Sequence, residues 1–61
     1  MNPRTITFDD DLTIATIDNE TVSIDWFDAD RFGMINEIHA TDGRVWDVRT
    51  NCAEITATLR P

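Results

Sequence analysis

Between residues 4 and 26 apolar and polar side chains alternate, and two short acidic runs interrupt the alternation. A period of two marks a half-buried β-strand, and the Thr, Ile and Val that fill most of these positions favour a pleated backbone. The segment therefore reads as three strands, 4–8, 12–17 and 21–26, separated by Asp9-Asp10-Asp11 and Asp18-Asn19-Glu20. If both loops hold three residues, Phe8 faces Leu12, Ile6 faces Ile14, Ile14 faces Ile24 and Leu12 faces Trp26. That register collects one apolar face and leaves Thr5, Thr7, Thr13, Ser23 and Asp25 on the other. A slip of one residue exchanges the faces, so the pairing is a sharp expectation.

Residues 28–41 admit two readings. As a helix near 29–41, Asp28 is the N-cap and Phe27 staples against Phe32. Phe32, Met34, Ile35 and Ile38 then share an arc of about 160°, and Gly43 ends the helix. As a strand, residues 34–41 pair with 45–50 across Asp42-Gly43-Arg44, so that Ala40 meets Trp46 and Glu37 meets Arg49. The strand reading exposes Ile35 and turns Asn36 inward, whereas the helix covers an otherwise bare sheet face. The preferred expectation is an α+β domain of order βββαββ, with an antiparallel sheet of about five strands. An all-β six-stranded meander or small barrel is the alternative.

With 61 residues the chain forms a single domain, 1–61, with little capacity to enclose a substrate. Twelve Asp and Glu against five Arg and no Lys give a formal charge of −7. That charge argues against direct nucleic-acid binding, which needs cations on the phosphates, and against an anionic membrane. Asp outnumbers Glu nine to three, a bias that salt adaptation or genome composition also produces. The start Met1-Asn2-Pro3-Arg4 has no apolar stretch behind it, so no secretory signal is expected. Cys52 is the sole cysteine, which favours a reducing cytoplasm.

Catalytic constellations are absent from the sequence. His39 and Cys52 stand 13 residues apart and form no nucleophile pair by local spacing. Zinc ligands in close pairs, phosphate loops and EF-hand spacing are missing, so no metal or other cofactor is expected. Open-loop aspartates stay ionised and do not suit glycosidic acid/base chemistry. The chain is thus expected not to be an enzyme and to have no small-molecule substrate.

Asp9-Asp10-Asp11 is the most unusual feature, because three adjacent carboxylates repel one another. The first strand runs into this loop and the third ends beside it. Asp28 and Asp30 are therefore expected on the same rim as Asp9, Asp10 and Asp11, about 10 Å away across the second strand, with Asp28 and Asp30 stabilised by the helix N-terminus.

In size, charge and lack of catalytic residues, the whole chain resembles the small acidic inhibitors encoded by phages and mobile elements. These include DNA mimics that block restriction, repair or CRISPR machinery, the anti-CRISPR class among them. The resemblance rests on no motif. It implies that Asp9, Asp10, Asp11, Asp28 and Asp30 stand in for phosphates, the partner being a basic nucleic-acid-binding protein. A small accessory or assembly protein of a larger complex is the different-class alternative.

Overall fold

The computed structural model describes residues 3–61, and Met1 and Asn2 lie outside them. Six antiparallel strands run in chain order: β1 (Arg4–Phe8), β2 (Ile14–Ile17), β3 (Glu20–Ala29), β4 (Ile35–Ala40), β5 (Val45–Asn51) and β6 (Glu54–Leu59). Each pairs with the next, and β1 pairs back onto β6 to close a barrel. Closure shortens the exposed sheet edges that a small β-domain would otherwise carry, although the β1–β6 ladder spans only Arg4↔Ala57 and Thr5↔Thr56. The described residues contain no helix, so the α+β expectation is overturned in favour of the six-stranded alternative.

The expected helix fails for a local reason. Residues 30–34 form a hairpin loop in which Gly33 takes φ +83°, a left-handed conformation no helix interior accepts. Asp28 is not an N-cap but a strand residue opposite Glu37, and Phe27 lies opposite Ile38 instead of stapling to Phe32. Gly43, at φ +96°, turns the β4–β5 hairpin and ends no helix.

Two irregularities answer the objection to a strand. Between Ile24↔Ala40 and Trp26↔His39 the extra residue is Asp25; between Asp28↔Glu37 and Ala29↔Ile35 it is Asn36. These bulges let Ile35 and Ile38 both turn toward the core while Asn36 stays exposed. The β4–β5 register also differs from the strand reading by two residues: Ile38 meets Trp46 and Glu37 meets Asp47.

The register of the first three strands is corrected as well. Ile6 pairs with Ile17 and Phe8 with Ala15, while Ile14 pairs with Ser23. Ala15 and Ile17 are therefore buried; Ile14 lies on the outer wall, 40% exposed. Leu12 is not a strand residue at all but a loop residue at φ +58°. Trp26, expected in the core, stands half-exposed on the outer wall with its ring stacked on His39 at a centroid distance of 3.7 Å.

The core is the barrel interior: Ile6, Ala15, Ile17, Val22, Ile38, Ala40, Trp46, Val48 and Ala57 are buried. The core combines one large ring, Trp46, with the small side chains of Ala15, Ala40 and Ala57, a mixture that fills a narrow barrel. No polar or charged residue is buried, and the Trp46 indole Nε1 has no hydrogen-bond partner among the described residues. No described helix is long and apolar enough to cross a membrane.

Candidate functional site

Because every strand reverses the one before, the β1–β2, β3–β4 and β5–β6 loops lie at one end of the barrel. Two of these loops are built alike. In Asp9–Thr13 the Leu12 N–H donates to the Asp9 carbonyl at 3.1 Å, and the Asp9 N–H donates to the Ile14 carbonyl at 3.0 Å. In Asp30–Met34 the Gly33 N–H donates to the Asp30 carbonyl at 3.0 Å, and the Asp30 N–H donates to the Met34 carbonyl at 2.9 Å. Each loop places one left-handed residue, Leu12 or Gly33, three positions after its first aspartate. Each is a four-residue turn whose last residue is left-handed, and the first loop is one residue longer before its strands pair again.

The first aspartate of each loop is absorbed by the turn. Asp9 Oδ1 accepts the Thr13 and Ile14 N–H groups at 2.8 and 3.0 Å, and Oδ2 accepts the Thr13 hydroxyl at 3.0 Å. Those bonds, led by the one from Ile14, hold the Asp9 carboxyl below its ordinary pKa. Asp30 Oδ1 accepts the Phe32 and Met34 N–H groups at 2.9 and 3.0 Å. Asp28 and Asp30 thus gain no support from a helix N-terminus; Asp28 sits on the β3 wall, and Asp30 shapes a hairpin.

Asp10 and Asp11, by contrast, occupy the exposed turn positions of the first loop, and Asp28 is exposed at the end of β3. Glu54, which opens β6 beside the third loop, joins them at this end and carried no sequence signal of its own. The structure therefore brings the five expected residues to one end of the barrel and adds a sixth carboxylate. None of the six has an ion-pair partner among the described residues. Arg31 is the cation within these loops, and its guanidinium lies over the Phe32 ring at 5.0 Å.

Elsewhere the carboxylates are partnered. Arg44 donates to Glu20 and to Asp42, each at 2.8 Å. Arg60 donates to Glu37 at 2.8 Å and to Asp47, while Glu37 also bonds His39. Arg44 lowers the Glu20 pKa, and Arg60 followed by His39 lowers that of Glu37. The Asp42 pKa is lowered chiefly by the Arg44 backbone N–H. Surface pairs of this kind add little stability, but they neutralise local charge. Charge is consequently segregated, paired on the walls and opposite end and unpaired around the three loops, with Asp18 and Asp25 as the outlying exceptions.

The end that carries the unpaired carboxylates also carries an apolar opening. A cleft of about 150 Å³ is lined by Phe8, Met34, Ile35, Val48 and Ile55, with Thr50 adding a hydroxyl. It lies beside the stretch of β1 where the ladder to β6 has ended, since that pairing covers only Arg4↔Ala57 and Thr5↔Thr56. Met34 is 43% and Phe32 76% exposed on the adjoining loop. This opening was hidden from the sequence because the helix reading assigned Phe32 and Met34 to a buried face.

His39 lies on the outer wall of β4 and Cys52 in the β5–β6 loop, where it is exposed and free. Among the described residues no three His, Cys, Asp or Glu side chains converge closely enough to hold a metal ion. Comparison with known protein families, curated proteins and solved structures finds no match to this chain.

Proposed function

We propose that this chain is a non-enzymatic cytoplasmic inhibitor that docks its acidic end on the basic nucleic-acid-binding groove of a partner protein, its carboxylates standing in for phosphates. The observation that supports the reading is the segregation of charge: the carboxylates without ion-pair partners gather at one end, around the loops. A basic groove gains most from carboxylates that are not already neutralised, and such a field steers association. Within the set, Asp10, Asp11 and Asp28 face the partner, and Glu54 extends the surface. Asp9 and Asp30 contribute mainly by holding their loops in shape. The free thiol of Cys52 suits a reducing compartment.

The test begins with capture of partners from a nuclease-treated lysate of the native host on immobilised protein, followed by competition with double-stranded DNA. A phosphate mimic releases its partner as salt rises and is displaced by DNA. The triple variant Asp10→Asn, Asp11→Asn, Asp28→Asn should associate more slowly and with a flatter salt dependence. Asp18→Asn, which removes one unpaired charge at the opposite end, is the control for Asp10→Asn alone. Binding that ignores salt, DNA and the triple variant would overturn the proposal and favour an assembly protein.

A further inference from the structure

From the cleft at the acidic end of the barrel we infer that the chain recognises an extended, Arg- or Lys-rich segment of its partner through one phenylalanine-sized apolar side chain. This rests on the reading above and adds a second component to it, an apolar anchor beside an electrostatic frame. The cleft is apolar on nearly every side, and its volume of about 150 Å³ is that of a cavity able to hold a benzene ring. It therefore fits one side chain and not a helix face or a small domain. Met34, unbranched and 43% exposed, can reshape around whichever apolar group enters.

Charge selects the occupant. Asp10, Asp11, Asp28 and Glu54 lie at the same end as the cleft and are exposed. These four carboxylates stand against two cations, Arg31 and Arg49, that are unpaired among the described residues, so the net field favours an anchor flanked by cations over one flanked by carboxylates. The same field excludes a second copy of this chain, because a symmetric contact would press two unpaired acidic rims together. An exposed apolar group ringed by polar residues is the usual composition of a peptide-recognition surface, with the anchor supplying affinity and the rim supplying rate and selectivity.

The experiment is an NMR titration of the full chain, methyl- and amide-labelled, with three peptides: Arg-Arg-Phe-Arg-Arg, Arg-Arg-Ser-Arg-Arg and Ser-Ser-Phe-Ser-Ser. The first peptide should move the methyl signals of Met34, Ile35, Val48 and Ile55 by ring-current shifts, together with the amides of Asp10 and Asp11. The second should move the rim amides alone and bind about tenfold more weakly, since one aromatic side chain leaves water in the first case only. The third should leave all signals in place. Met34→Ser should reduce the advantage of the first peptide over the second without changing the second. If the first two peptides bind equally and leave the methyl signals unmoved, the anchor is refuted while the acidic rim stands. If the third binds as well as the first, the cleft holds an apolar side chain but the cationic segment and the acidic-rim reading are both refuted. No shift with any peptide overturns both.

Discussion

Ile17→Ala compared with Ile14→Ala decides the register of the barrel. Ile17 is fully buried, one of the largest side chains with no exposure, whereas Ile14 is 40% exposed on the outer wall. Each substitution removes three carbons, worth about 0.8 kcal/mol apiece when fully buried, or about 2.4 kcal/mol. At position 17 the surrounding barrel cannot collapse freely, and the cavity term brings the cost to about 3–4 kcal/mol. At position 14 only part of that transfer energy is at stake and no cavity forms, so the cost is about 1–1.5 kcal/mol. A chain of 61 residues has a total stability of roughly 3–9 kcal/mol, so Ile17→Ala removes a large share of it or all of it. Urea unfolding followed by far-ultraviolet circular dichroism and by tryptophan fluorescence reads the difference. With a slope of about 1 kcal/mol per molar, the midpoints should differ by about 2 M. Ile17→Val and Ile14→Val give the same ordering on a smaller scale if Ile17→Ala does not fold. Equal costs, or a larger cost at Ile14, would refute the observed pairing and restore the three-residue loop.

Gly43→Ala meets no atom within 4 Å of the new Cβ, so its cost is conformational alone, about 1–2 kcal/mol for a left-handed position, and a thermal melt should show it. Asp9→Ala should lower the melting temperature by several degrees, because the N–H groups of Thr13 and Ile14 lose their acceptor; Asp9→Asn, which keeps an Oδ1, should recover most of the loss. Asn19→Gly should be neutral or slightly stabilising, since Asp18 and Asn19 form a two-residue hairpin with φ +52° and +71°, whereas Asn19→Ile should destabilise in the same melt. Asp9, Glu20, Glu37 and Asp42 all have folded-state pKa values below their ordinary ones. Their stabilisation is therefore present above the unfolded values, near pH 4, and lost as pH falls through the lower folded values. In a variant with Asp10, Asp11, Asp18, Asp25 and Asp28 changed to Asn and Glu54 to Gln, which removes the repelling groups, the urea midpoint should be flat above about pH 5 and drop below about pH 4. A midpoint that rises on acidification there would contradict these pairings.

Much of the strand content was legible in the alternation of Thr, Ile and Val, and the end of the barrel that carries Asp9, Asp10, Asp11, Asp28 and Asp30 followed from strand direction alone. The failures share one physical cause: residues that do not advertise the conformation they take. Leu12 occupies a left-handed turn position that Gly33 and Gly43 fill in the equivalent hairpins. A glycine there would have marked a longer loop; a leucine reads as the start of a strand and shifts the face of β2. Asn36 and Asp25 are bulge residues, and a bulge breaks the period of two on which strand detection depends. With Asn36 skipped, the spacing of Ile35 and Ile38 imitates a helix. The cleft was illegible because it is a property of barrel closure, formed by residues from β1, β4, β5 and β6 that no local pattern connects.

The acidity of the chain divides by task once the barrel is known. Asp9, Asp30 and Asp42 accept backbone N–H groups within their own hairpins, work suited to a side chain short enough to reach two to five residues along the loop. That is one structural source of the excess of Asp over Glu, independent of any compositional bias. Glu20, Glu37 and Asp47 join Asp42 in the pairs with Arg44 and Arg60. Six of the twelve carboxylates then serve neither purpose: Asp10, Asp11, Asp18, Asp25, Asp28 and Glu54. Mutual repulsion among such groups opposes folding and offers the described residues nothing in return. Four of these six, Asp10, Asp11, Asp28 and Glu54, sit at the end that carries the open apolar cleft. On the reading proposed above the same repulsion has a use there, because it opposes burial of two copies' clefts against each other. On that reading, a rim that repels its own kind and an opening sized for one side chain would together select a cationic partner. That selectivity is why the unpaired carboxylates, rather than the total charge, are the residues to neutralise first.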